Sequence, residues 1–469
     1  MRLNRGRFIA GLGAGVTLAA CNGGGAGIVP APRSLSRTGL ILTDIHFNPL
    51  TDPLIGNTLA QTPIAGWDAV FKTSTKIGYS PYLTDTNFPL LQSVLTAMKA
   101  QNPNPDIVFI PGDFLAHYLQ NFFTQANMTK NTQADYVAFV NKTEQYLALK
   151  LSQTFPNAQF AITLGDWDTP CSTSDTFPGN AFLASFTAAW NTAVNQYQGA
   201  PNFQTTFAAG GYYSTAFPID PKGRLVVLNT LPWSTGYTAT ACDGNDNNLA
   251  VTELAWLTNE LAQARSLGQR VWILGHIPPG VSAVGIDCSK PPSPFYAEPY
   301  ASQLEALFAK YRGTVTFGIF GHEHLDDFRV SRDSSGSLLF GIKITPSVTP
   351  ADGNNPAFVQ FTYDPTAGAI SDATTWYLTN LPSATTAVPG VWESEYSFNA
   401  TYGQSAMDSN GVAGAVNNIL TQPGLQASFM RYFPSSSPTF WRAGTPLFAP
   451  YGCAFTNLGL SEFNACYCP

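Results

Sequence analysis

Charge is scarce in this chain. Of its 469 residues only 11% are Asp, Glu, Lys or Arg, under half of the roughly 25% usual in soluble domains. The 23 Lys and Arg residues form no run, and the net charge is −7. A protein that tracks nucleic-acid phosphates needs a basic face, so no nucleic-acid partner is expected. Histidine is scarcer still, with five in all. The N-terminal apolar stretch, Phe8 to Ala20, is about thirteen residues long, too short to cross a bilayer.

What is present fits an exported protein. An apolar fraction of 44% supplies a sizeable core, and the length allows one large domain with an appendage or two to three modest ones. Asn, Gln, Ser and Thr carry much of the polar surface. Arg2, Arg5 and Arg7 ahead of Phe8–Ala20 read as the basic and apolar parts of an export signal. Leu18-Ala19-Ala20-Cys21 resembles a bacterial lipobox, so residues 1–21 are read as signal and lipid-anchor site. The anchor at Cys21 would tie the protein to the membrane of a bacterial cell envelope; ordinary cleavage would leave it secreted. The Gly-rich residues 22–37 form a flexible tether. The seven cysteines less Cys21 leave six, enough for three disulfides in fifteen possible pairings. Cys242 with Cys288, and Cys453 with Cys466 or Cys468, is the expected pairing.

Five continuous apolar runs each end at Gly, Asp or His: Gly39–Thr43, Asp106–Ile110, Phe160–Leu164, Val271–Leu274 and Thr314–Phe320. Continuous runs fit strands buried on both faces. Amphipathic helices are expected between them over Leu90–Ala100, Glu253–Arg265 and Ser302–Tyr311. Strands alternating with helices imply an α/β core, in which ligands collect at the carboxyl ends of strands. Leu338–Ile344, Phe358–Tyr363 and Thr375–Leu378 read as strands that complete a second sheet. The domain is bounded at 38–381. Residues 382–469, aromatic and Cys-bearing, form a C-terminal subdomain, with helices expected over Val412–Leu420 and Leu425–Tyr432. A monomer is expected.

Four of the five histidines stand just beyond those runs. Asp44-Ile45-His46 follows the first, and alternate residues there can reach one ion. Gly112-Asp113 follows the second, where Gly permits a tight turn. Gly165-Asp166 follows the third, Gly275-His276 the fourth, and Gly321-His322-Glu323-His324 the fifth. Imidazole with carboxylate favours zinc, with iron or manganese as alternatives, over calcium. Two ions bridged by a carboxylate suit in-line displacement at phosphorus. Asn229, Trp233, Tyr237 and Phe295 are weaker candidates to face the site.

The block order Asp-x-His, Gly-Asp, Gly-His, Gly-His-x-His resembles that of the calcineurin-like metallophosphoesterases. His117 in Gly112-Asp113-Phe114-Leu115-Ala116-His117, the Gly275-His276-Ile277-Pro278-Pro279-Gly280 segment and Thr345-Pro346-Ser347 are similar to the acid sphingomyelinase branch. The resemblance spans roughly residues 38 to 469. It implies an α/β, four-layer β-sandwich flanked by helices, with a small, disulfide-stapled, partly helical C-terminal subdomain. It also implies two divalent ions, one on Asp44, His46, Asp113 and His324, the other on Asp113, Asp166, His276 and His322. Metal-activated hydroxide would hydrolyse a phosphodiester or phosphoanhydride, and His117 would protonate the leaving oxygen. Sphingomyelin-like lipids lead as substrate. The alternatives are a nucleotide or polyphosphate hydrolase and a metal-retaining, non-catalytic surface binding protein. One block departs from the family pattern: Gly-Asn-His-Asp or Gly-Asn-His-Glu is replaced by Gly165-Asp166-Trp167-Asp168. Asp166 can still ligate, whereas Trp167 cannot donate a proton as His does.

Overall fold

The computed structural model describes residues 36–170, 181–195, 200, 202–237, 248–286, 288–289, 292–440 and 448–468. The signal and anchor reading, the tether to residue 35, Cys171 and Cys242 lie outside them. Among the described residues, twelve strands form two mixed, six-stranded sheets. The chain begins in the first sheet with β1 (Arg37–Ile41), β2 (Ile107–Ile110) and β3 (Gln159–Ile162). It crosses to the second for β4 (Tyr213–Ala216), β5 (Gly223–Val227), β6 (Arg270–Leu274), β7 (Val315–Phe320), β8 (Asp327–Arg332) and β9 (Leu338–Ile344). It returns to the first for β10 (Ala357–Asp364), β11 (Ala369–Leu378) and β12 (Trp392–Ser397). The orders are β12-β11-β10-β1-β2-β3 and β4-β5-β6-β7-β9-β8.

The strands nearest the predicted ligands run parallel. β1 pairs with β2 and β2 with β3, while β5, β6, β7 and β9 form a second parallel set. Parallel strands need crossovers, and helices supply them: Phe88–Gln101, Gln133–Thr154, Leu249–Ser266 and Tyr300–Lys310. Asn87 caps the first, its side chain accepting from Leu90 N at 3.1 Å. Thr132 and Asp135 close a reciprocal cap on the second. The carboxyl ends of β1, β2, β3, β6 and β7 carry the histidines and aspartates of the site.

The return of β10 and β11 to the first sheet differs from the reading that had them complete the second. β10 lies antiparallel to β1 with Gly39 opposite Phe361. A Cβ on Gly39 would stand 2.1 Å from the Phe361 ring, so the missing side chain is what lets β10 lie there. Rings from both sheets then meet in the core: Phe109 of β2 lies 6.3 Å from Trp272 of β6, and Trp272 lies 5.6 Å from Tyr363 of β10.

The C-terminal region packs back on this frame. β12 extends the first sheet, and the helix Ser409–Thr421 covers β8 and β9. Cys453 pairs with Cys466, one of the two expected partners. Cys288 pairs with Cys468 rather than Cys242; the terminal helix Leu460–Tyr467 brings Cys468 beside the loop after β6. No described helix is long and apolar enough to cross a membrane.

Arg329 on β8 joins these parts. It is 1% exposed, donates to Glu323 at 2.7 Å and to the Ala454 carbonyl at 3.0 Å, and lies 2.9 Å from Asp327. Removing one partner of a buried ion network leaves uncompensated charge, at about 3–5 kcal/mol. Arg329→Met should therefore lower stability by about that amount, read as a drop in the urea midpoint at constant slope. A change below about 1 kcal/mol would refute this account of Arg329.

Candidate metal centre

The site begins where β1 and β2 stop being regular. Beyond the strands the two chains stay paired, with Asp44 N donating to Gly112 O at 3.1 Å and His46 N to Asp113 O at 3.0 Å. Asp44, His46 and Asp113 all adopt left-handed backbone, with φ of 47°, 43° and 56°. His322 and His324 beyond β7 do the same, at 75° and 62°. L-residues favour this region only weakly, and it turns successive side chains toward one side. Asp166 sits after β3. Gly165 before it is required by proximity, since a Cβ there would lie 2.0 Å from Asp113 Oδ1.

All seven predicted ligands converge. Asp44, His46, Asp113 and His324 form one group whose ligand atoms lie within 4.8 Å of one another, and Asp166, His276 and His322 form a second. Asp113 joins the two. Its Oδ2 lies 3.1 Å from His46 Nε2 and 3.3 Å from His276 Nε2, while its Oδ1 accepts from Trp167 N at 3.0 Å. Asp166 Oδ1 lies 2.9 Å from His276 Nε2 and 3.1 Å from His322 Nδ1. His324 Nε2 stands 3.0 Å from His46 Nε2 and 3.5 Å from Asp44 Oδ1.

These residues fit divalent ions. His46 Nδ1–H donates to Leu115 O at 2.9 Å and His276 Nδ1–H to Pro111 O at 2.6 Å. In the neutral rings, Nε2 then aims a lone pair at the Asp113 oxygen, a repulsion that only a proton or a cation between them relieves. The titration behaviour says the same. Burial pushes His46 down, but Asp113, Asp85 and Asp44 outweigh it and raise it to about 9. His276 is raised well above its ordinary value against burial, by Asp113 and Asp166. Asp113, itself opposed by burial, is held far below the usual carboxylate range by His276 and His46. The pocket calls for positive charge, and its imidazole and carboxylate donors suit zinc, iron or manganese.

Sequence reasoning passed over the supports. Asp168 accepts from four backbone amides: Asp113 at 3.1 Å, Gly165 at 2.7 Å, Phe114 at 2.6 Å and Leu115 at 3.2 Å. It is the clamp on the Asp113 turn. Burial and the Asp113 charge push it up to about 7 against the pull of the amides. Its signal was the acid that closes the third block. Asp352 Oδ2, 3.0 Å from His324 Nδ1, had none. His117 stacks on His46 at 3.8 Å and meets the Trp167 edge at 4.8 Å. Phe295 lies 5.5 Å from His322 at the rim. Trp233 is instead core, donating to Ala250 O, and Asn229 donates to Gly210 O while its own amide meets Glu253.

The family model for calcineurin-like phosphoesterases matches residues 40–326, more than half of the chain and every one of these ligands. The chain belongs to that family. As a calcineurin-like phosphoesterase it is a metal-dependent phosphoric ester hydrolase, and its relatives place it with the acid sphingomyelinase-like branch. It is similar to sphingomyelinase phosphodiesterase D of Dictyostelium discoideum, 27% identical over 83% of this chain and 81% of that one. It is 25% identical to the mouse acid sphingomyelinase-like phosphodiesterase 3b, over 85% of this chain and 82% of that one. The rat cyclic GMP-AMP phosphodiesterase SMPDL3A is 23% identical over 91% and 90%.

The raised groups give this phosphoesterase a pH signature when ions are stripped. A group whose folded pKa is raised stabilises fully at low pH, and that stability is lost as pH climbs to the folded value. Asp168 covers the span from 3.8 to about 7 and His46 from 6.5 to about 9. The urea midpoint of chelator-treated protein should fall from about pH 5 to about pH 9. Ions require deprotonated ligands, so added zinc should raise the midpoint more at about pH 8 than at about pH 5. A zinc effect that is equal at both would contradict this ligand set.

Proposed function

We propose that this chain is an exported phosphodiesterase holding two divalent ions, zinc first, and that sphingomyelin-like phosphodiesters are its substrates. The observation that carries the reading is Asp113 Oδ2, shared between His46 Nε2 and His276 Nε2 at the heads of two ligand groups. One ion would take Asp44, His46, Asp113 and His324, and the other Asp113, Asp166, His276 and His322. When bound, such ions polarise phosphoryl oxygens and acidify water. The remaining work falls to the chain. Asp168 holds the Asp113 turn, and His117, stacked over His46, protonates the leaving oxygen.

The rim supports a diester with apolar or cationic parts. Tyr118, 64% exposed, lies 4.7 Å from Trp167, with Phe295 across the site beside His322. Among the described residues no Lys or Arg pairs with any of the seven ligands, whereas Asp352 stands 54% exposed beside His324. A polyanion would find little to bind there. A second reading, a nucleotide-derived diester, draws on the rat relative's name and on the same aromatic rim. The two disulfides among the described residues suit an oxidising compartment, and anchoring through Cys21 completes the proposal.

Reconstituted protein should bind about two zinc ions and hydrolyse bis-p-nitrophenyl phosphate in a chelator-sensitive way. His276→Ala should lower kcat by about 100-fold or more and reduce the bound metal. Two bound ions without turnover of this or a sphingomyelin substrate would favour the surface binding protein. Failure to bind metal would sink the reading.

A further inference from the structure

His117 is not held by the metal ligands alone. Its Nδ1 lies 2.7 Å from Asp85 Oδ1. The carboxylate is 7% exposed and the imidazole 23%, so the pair sits at the wall of the site rather than on open surface. Asp85 is itself fixed. Ser80 Oγ donates to its carbonyl at 2.6 Å, and the next residue, Thr86, donates from its amide to His46 O at 3.1 Å and accepts from Asn48 N at 2.8 Å. The segment that carries Asp85 is therefore tied to the backbone of His46, the residue on whose ring His117 lies at 3.8 Å and 12°. A ring nitrogen of His117 comes within 4.8 Å of ligand atoms on His46 and His324. The Trp167 edge closes the other side at 4.8 Å.

We propose that Asp85 is a positioning residue that fixes His117 as the acid for the leaving group, an inference that rests on the phosphodiesterase reading above. An imidazole delivers a proton from one nitrogen only if the other is held, because a free ring can rotate or exchange tautomers. In the imidazolium, Asp85 accepts the Nδ1–H and so leaves Nε2–H free to be donated to the leaving oxygen. In the step, the oxygen of water bonds to phosphorus and releases its proton to solvent. The bond from phosphorus to the leaving oxygen breaks, its electron pair stays on that oxygen, and the oxygen takes the Nε2 proton. His117 is left neutral with its remaining proton on Nδ1, facing Asp85. The third-block Trp167 offers no substitute acid, so the chain depends on this one pair. Nothing in the family's motif blocks marks Asp85, which lies far from them in sequence.

The test uses the full zinc-loaded chain, Asp85→Asn, and two diesters that differ in their need for an acid. p-Nitrophenolate leaves unaided, whereas phenolate gains from protonation. Asp85→Asn should change kcat for bis-p-nitrophenyl phosphate by no more than about threefold and lower kcat for diphenyl phosphate about tenfold to hundredfold, with KM and zinc content unchanged. Asp85→Glu should recover part of the loss. With only five histidines, side-chain ¹⁵N shifts can be read one by one; in its neutral form, His117 should keep its proton on Nδ1 in the parent and show a tautomer mixture in Asp85→Asn. Equal losses on both esters, or none on either, would overturn the proposal, as would a His117 shift indifferent to the substitution. A parent protein that turns over neither ester would instead overturn the phosphodiesterase reading, while the ¹⁵N shifts still decide whether Asp85 holds His117.

Discussion

A single buried carboxylate oxygen, Asp113 Oδ2, faces imidazoles from both sides of the molecule, and much of the architecture answers to it. His46 approaches it from the end of β1 and His276 from the end of β6. The three candidate-ligand aspartates come from the first sheet, and three of the four candidate-ligand histidines come from the second. Negative charge on one sheet and nitrogen donors on the other leave a gap that cations fill. Backbone pairing of Thr43 with Ser347 already links the sheets at this end, with Val348 N donating to Thr43 O at 3.1 Å, and ions held there would add a second fastening. Metal binding and folding stability are therefore coupled through geometry as well as through proton release.

The supports form two tiers on opposite flanks. On one, Asp168 gathers four amides and sets the Asp113 turn. On the other, Glu323, between His322 and His324, is held by Arg329, which reaches the Ala454 carbonyl next to the Cys453–Cys466 disulfide. The C-terminal segment thus bears on the metal loop through a buried guanidinium, without supplying a ligand.

The parallel strands were legible because buried strands read as unbroken apolar runs, and the convergence of the Asp and His residues because they stand at strand ends. The helices Phe88–Gln101 and Leu249–Ser266 were found to within a few residues from their apolar stripes. The destination of β10 was not legible: whether a strand pairs with β1 or with β9 depends on Gly39 clearing room for Phe361 across some 320 residues of chain. The Cys288–Cys468 link was missed for a similar reason, since spacing cannot say which loops meet. Asp85 and Asp352 left no periodic or motif signal, because a partner across space needs none. Asp168 did leave one, as the acid ending the third block, but its role as an amide clamp appears only in three dimensions.

Five of the seven candidate ligands, Asp44, His46, Asp113, His322 and His324, hold left-handed backbone that glycine or asparagine would adopt with less strain. At about 1–2 kcal/mol apiece, their combined burden is comparable to the whole net stability of a typical domain. The third block, which departs from the resembled pattern, lies where the backbone is not left-handed, whereas the five strained positions carry Asp and His. Strain of that size, carried by Asp and His rather than Gly or Asn, serves the convergence of side chains at the site and not the fold.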